Sequence, residues 1–82
     1  MFIIKVFILE DGMGEWWETL KKDGSTNRFI PGTATFARDK EFKSATLAIN
    51  HAKQIPNKCK VIEMTPPIPP SRTWNEKLVW SS

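Results

Sequence analysis

Residues 2–9, Phe2-Ile3-Ile4-Lys5-Val6-Phe7-Ile8-Leu9, form an almost unbroken apolar run of β-branched and aromatic side chains, the composition of a strand rather than a helix. Strand alternation puts Phe2, Ile4, Val6 and Ile8 on one face and Ile3, Lys5, Phe7 and Leu9 on the other. Both faces need cover, which places this strand inside a sheet. It ends at Glu10-Asp11-Gly12-Met13-Gly14, a turn signal whose glycines can take positive φ, so the chain is expected to fold back as a hairpin. In the returning segment Trp16, Glu18 and Leu20 share one face and Trp17, Thr19 and Lys21 the other, until Asp23-Gly24 turns the chain again.

Further along, Ser44 is an N-cap for a helix over 45–55, where Ala45, Ala48, Ile49, Ala52 and Ile55 recur at three- and four-residue spacings. That is about three turns, stopped by Pro56. Cys59-Lys60-Val61-Ile62-Glu63-Met64 reads as a final short strand. Between the hairpin and the helix, 25–43 reads mostly as loop. Pro31-Gly32 is a turn, 33–39 a helical turn or an irregular strand, and Phe36 and Phe42 are core anchors. Thr65-Pro66-Pro67-Ile68-Pro69-Pro70 cannot enter a sheet interior and favours an extended polyproline II spacer. Beyond it Trp74, Leu78, Val79 and Trp80 make 72–80 too apolar for an idle tail.

The expected fold class is α+β: a small antiparallel sheet of three to four strands in ββαβ order, one helix packed on one face, and a Pro-rich C-terminal arm. Residues 1–64 are the expected ββαβ domain and 65–82 the extended arm. The last strand runs antiparallel to the first when the two pair. The sheet's second face is covered either by the 74–80 segment or by another protein.

Composition bounds what such a chain does. Its 82 residues are 40% hydrophobic and 26% charged, enough for one folded domain and too short for most enzyme folds. The net charge of +3 is uneven: Met1 to Phe42 sum to −1 and the rest to +4, a mild bias toward acidic partners. Cys59 has no cysteine to pair with, so a cytoplasmic setting is expected. The apolar opening is shorter than the roughly 20 residues a membrane span needs and reads as a strand, not a signal segment.

Catalytic and metal chemistry find little footing. Cys59 and His51 fall short of a zinc ligand set, and a lone cysteine opening a strand reads as a small buried hydrophobe rather than a nucleophile paired to His51. Gly12-x-Gly14 precedes a strand and lacks the phosphate-loop pattern. The carboxylates Glu10/Asp11 and Glu15/Glu18 sit near a hairpin without the cleft that shifts an acid–base pair. No enzyme activity, cofactor or metal is expected.

The aromatic and basic residues carry the functional reading. Trp16, Trp17, Trp74 and Trp80, with Lys21, Lys22, Arg28 and Arg72, are the residue types of protein–protein hot spots and of base-stacking platforms alike. At least two of the four indoles are needed for the core. Lys58 and Lys60 cluster with Lys43 and Lys53 around the helix exit, where lysines also complement a helix dipole. These ten residues, Trp16, Trp17, Lys21, Lys22, Arg28, Lys58, Lys60, Arg72, Trp74 and Trp80, are the expected partner-binding set.

Phe36-Ala37-Arg38-Asp39-Lys40-Glu41-Phe42-Lys43-Ser44, leading into Ala45-x-x-Ala48-Ile49-x-x-Ala52 after the opening run and the Trp-Trp strand, resembles small phage and prophage proteins of ββαβ layout over about residues 2–64. Some similar proteins are host-takeover or anti-defence factors, certain anti-CRISPR inhibitors among them. The resemblance implies a non-catalytic protein that inhibits or modulates a host protein or nucleoprotein complex by binding its surface. It transfers no motif residue position by position, and the Pro-rich, Trp-bearing tail departs from the pattern. Two other readings stand beside it: a single-stranded nucleic-acid binding module, and a homodimer whose 68–80 arms exchange between subunits. None involves a membrane.

Overall fold

The computed structural model describes residues 1–28 and 39–82. Along the chain lie β1 (Phe2–Asp11), β2 (Gly14–Leu20), β3 (Thr26–Arg28), α1 (Ala45–Ala52), β4 (Cys59–Thr65) and β5 (Asn75–Ser81). The strands form one sheet in the order β3-β2-β1-β4-β5, and every neighbouring pair is antiparallel. The protein is a small α+β fold. β1 takes the central place that its two apolar faces demand, with Lys5 opposite Thr19 on one side and Lys60 on the other.

The β1–β2 turn closes as its glycines suggest. Asp11 pairs with Gly14, whose φ of +117° suits a residue without a Cβ, and Asp11 Oδ1 accepts the Met13 amide at 2.8 Å. One face of the sheet carries the helix. There Ile4, Val6, Leu20, Cys59 and Val61 are buried with Ala48 and Ala52 of α1, flanked by Phe2, Phe42, Ile49, Ile55 and Trp80. Two alanines one turn apart let the helix backbone lie close to the sheet. On the second face Ile3, Ile62 and Met64 are buried, with Met1 and Trp74 packed against them.

Ser44 caps α1 as its side chain requires, its Oγ accepting the Leu47 amide at 3.2 Å. The helix is shorter than its apolar spacing suggests and ends at Ala52. Lys53 is the C-cap, and the Gln54 and Ile55 amides bond back to His51 and Ala52 in a tightened last turn. Pro56 disfavours helical geometry at the residue before it, so Ile55 reaches the core from outside the helix.

Two strands lie where the sequence reads as loop and arm. β3, described over Thr26–Arg28, pairs with Glu18 to Leu20. The turn before it is closed by the Lys21 amide on the Ser25 carbonyl at 2.8 Å, and Asp23 Oδ1 accepts the Ser25 amide at 2.9 Å. β5 is the larger correction. The C-terminal segment does not trail as an arm: 75–81 lie in plane beside β4 of their own chain, with Thr65 opposite Asn75 and Val61 opposite Trp80, while Trp74 packs on the second face. A bulge between Val61 and Ile62 interrupts that pairing. The prolines stay in the connection, outside any strand.

Asp39 to Phe42 also join the sheet. Phe2 and Phe42 exchange backbone hydrogen bonds of 3.0 and 2.9 Å, and the Lys40 amide bonds to the Leu20 carbonyl at 3.0 Å. This short segment therefore wedges between the start of β1 and the end of β2. Pro31-Gly32, Phe36 and the rest of 29–38 lie outside the described residues.

Candidate functional site

The β1–β2 hairpin outruns its neighbours. β4 pairs with β1 from Phe2 to Val6, and the Phe7 amide on the Lys58 carbonyl at 2.8 Å is the last rung. There Asn57 turns the chain away and its side-chain amide donates to the Phe7 carbonyl at 3.2 Å. On the far side, among the described residues, β3 pairs with Glu18 to Leu20. Among the described residues, 8–17 therefore form a two-stranded ribbon, and 8–11 of β1 have no strand beside them on the β4 side.

That ribbon carries apolar side chains in water. Ile8 is 38% exposed, Leu9 45%, Met13 96% and Trp16 38%. A bulge between Phe7 and Leu9 sets Leu9 opposite Trp16, so the alternation that placed Ile8 and Leu9 on separate covered faces breaks at this point. The ribbon is also acidic: from Val6 to Leu20 the chain holds Glu10, Asp11, Glu15 and Glu18 and no lysine or arginine. Thr26 Oγ1 and Trp16 Nε1 both donate to Glu18, at 2.5 and 2.9 Å, and these bonds, the threonine's first, hold its carboxyl below the usual range.

At the base of the hairpin, on the second face, a depression of about 220 Å³ is floored by Phe7 and Trp17. The two rings meet edge to face, with centroids 5.3 Å apart. Lys60 Nζ stands 4.1 Å from the Trp17 centroid and Lys58 Nζ 5.8 Å from that of Phe7, so both lysines make cation–π contacts with the floor. Glu10 and Glu15 line the same depression and oppose each other across the hairpin. Trp17 Nε1 donates to Glu15 Oε2 at 2.6 Å.

The expected binding residues thus divide. Trp17, Lys58 and Lys60 come together on the second face, and Trp16 is on the hairpin. Trp74 and Trp80 are half-buried against the chain's own two cores. Lys21 is half-buried where it bridges to Asp39, Lys22 is exposed in the turn after β2, and Arg72 is exposed in the connection before β5. The backbone of Arg28 pairs with Glu18 in β3. Ile8, Leu9 and Met13 are the residues the sequence reading missed. The signal for them is the acidic, Gly-flanked stretch that follows, too polar to extend a covered sheet.

Cys59 is fully buried and its Sγ lies 3.5 Å from the Asn57 carbonyl; burial pushes the thiol above its ordinary value, opposite to the shift that activates a thiolate. His51 packs its ring 5.4 Å from that of Phe42. Among the described residues no helix is long and apolar enough to cross a membrane. In comparisons with known proteins, no family model, curated protein or solved structure gives a significant match.

Proposed function

We propose that this chain is a non-catalytic binding protein whose contact element is the β1–β2 hairpin. The observation that carries the reading is the exposure of Ile8, Leu9, Met13 and Trp16 together on one projecting ribbon. Large apolar side chains gathered on a protruding element gain free energy when a partner covers them. The resemblance to small phage proteins supports the further step, that the partner is a larger host protein or nucleoprotein complex inhibited or modulated by surface occupation.

A second reading, single-stranded nucleic acid on the second face, is favoured by Lys58 and Lys60 over Phe7 and Trp17. It is the weaker of the two: a base stacking on Trp17 must displace Lys60, and Glu10 and Glu15 repel phosphate in the same depression.

The test is a photo-crosslinking side chain placed at Met13, with a control at exposed Gln54 near the helix exit. A discrete protein adduct from position 13 and none from 54 is the expected result. Equal capture from both positions, or capture from 54 alone, defeats the proposal. An oligonucleotide that binds at 50 mM salt and is lost steeply by about 200 mM transfers support to the second reading.

A further inference from the structure

We propose that residues 8–11 of β1 are a docking edge for an extended segment of a partner protein in which basic and apolar residues alternate, added to the hairpin as another antiparallel strand. The inference rests on the hairpin being the contact element and goes on to name the chemistry of what it contacts.

Geometry supplies the first argument. β4 stops at the rung between Phe7 and Lys58, so the lane it would have continued along, beside 8–11, has no strand in it among the described residues. Leu9 and Asp11 turn their backbone groups toward β2 as the partners of Trp16 and Gly14, so the N–H and C=O that enter this lane are those of Glu10, a short template for strand addition. Charge selects the strand. The ribbon of 8–17 holds three carboxylates, Glu10, Asp11 and Glu15, and no basic residue, and Glu10 stands directly opposite Glu15, a like-charge pairing that costs stability unless a cation lies between. Lys58 and Lys60, lining the same depression, hold their ammoniums over Phe7 and Trp17. An arginine or lysine arriving beside β1 on the Glu10 side relieves that repulsion, and its apolar neighbours on the opposite face of the strand meet Leu9.

The same charges argue against other occupants. A polyanion is repelled, and a second copy pairing through this edge would bring Glu10 and Asp11 against their own counterparts. The outer side of β5, another bare edge among the described residues, contains one Glu and one Lys and has no sign preference to offer a basic strand.

The test uses the full chain with fluorescein-labelled peptides of about ten residues: one alternating arginine and valine, its glutamate–valine counterpart, and the arginine peptide N-methylated on alternate residues. The expected result is binding of the first alone, with slowed amide exchange at Glu10. Glu10→Gln with Glu15→Gln should weaken it about 10-fold, two charge pairs being removed. Equal binding of the glutamate peptide, unchanged affinity after N-methylation, or protection of β5 instead of Glu10 overturns the proposal. If the Met13 crosslinker captures a partner while the arginine peptide fails, this inference alone falls; if Met13 captures nothing, the hairpin reading falls with it.

Discussion

Lys5 and Glu76 offer the sharpest test of how the second face is held together. Lys5 on β1 and Glu76 on β5 reach across β4, with Nζ 3.6 Å from Oε1 and side chains only 17% and 22% exposed. Lys60 lies directly opposite Lys5 on β4 and adds a like charge. Burial, against the attraction of Glu76, pulls the Lys5 ammonium below its ordinary value, so the carboxylate compensates a charge that the sheet itself disfavours. Exposed pairs contribute about 0.2–1 kcal/mol, and breaking a fully buried one costs about 3–5 kcal/mol. A pair this far from water falls between, and Glu76→Gln, which keeps the shape, should cost about 1–2 kcal/mol. For a domain of this size that is a fall of about 5–15 °C in Tm.

Lys5→Met removes the buried charge and the repulsion from Lys60 together. It should cost less than about 1 kcal/mol or stabilise the fold. In the Lys5→Met background the Glu76→Gln penalty should largely vanish. Urea unfolding of the two single variants and the double variant, followed by circular dichroism, closes the cycle. The reasoning is refuted if Lys5→Met is the more damaging change, or if Glu76→Gln costs the same with and without Lys5.

The same lysine sets a pH dependence. Its folded value lies below the unfolded 10.5, so between the two the unfolded chain binds more protons. The cost of charging Lys5 is fully present at neutral pH, and its removal makes stability rise with pH through that window; urea midpoints measured upward from pH 8 should show the rise in the wild type and a shallower one in Lys5→Met. Ile4→Ala, at a site with no exposure, should cost about 2–5 kcal/mol, a large share of the roughly 4–12 kcal/mol available to a chain of this length, and a wild-type urea midpoint would contradict the central place given to β1. Gly14→Ala should cost about 1–2 kcal/mol through its positive φ alone, since no heavy atom lies within 4 Å of the added Cβ; D-alanine at position 14, introduced by chemical synthesis, should restore the midpoint, and a loss with D-alanine equal to that with L-alanine would show that φ is not the cause.

What the sequence discloses here follows from where its signals are local. The two-faced apolar run of 2–9 demanded the sheet's centre, Gly14 marked the turn, Ser44 the cap, and β4 pairs antiparallel to β1. β3 was illegible because Thr26-Asn27-Arg28 has no apolar residue to alternate; its pairing follows from the turn at 21–25. β5 was illegible for two reasons: the prolines before it suggested departure from the fold, and the bulge breaks the alternation of its apolar residues. The candidate site divides in the same way. Adjacent Trp16 and Trp17 drew attention to β2, but the lysine over Trp17 is Lys60, brought there by the strand order rather than by chain proximity. Ile8 and Leu9 looked like interior residues because nothing in the run of 2–9 announces that β4 stops alongside Phe7.

β5 has a consequence for how the protein can be shortened. β4 is buried at Cys59, Val61, Ile62 and Met64, with both of its lateral faces against core. Its outer backbone is shielded by the polar-rimmed Asn75–Ser81. Cutting the chain after Met64 would strip that shield and leave one of the most apolar strands as a sticky border. Clumping of the shortened chain would then report a missing sheath, and says nothing about whether the intact protein pairs with itself.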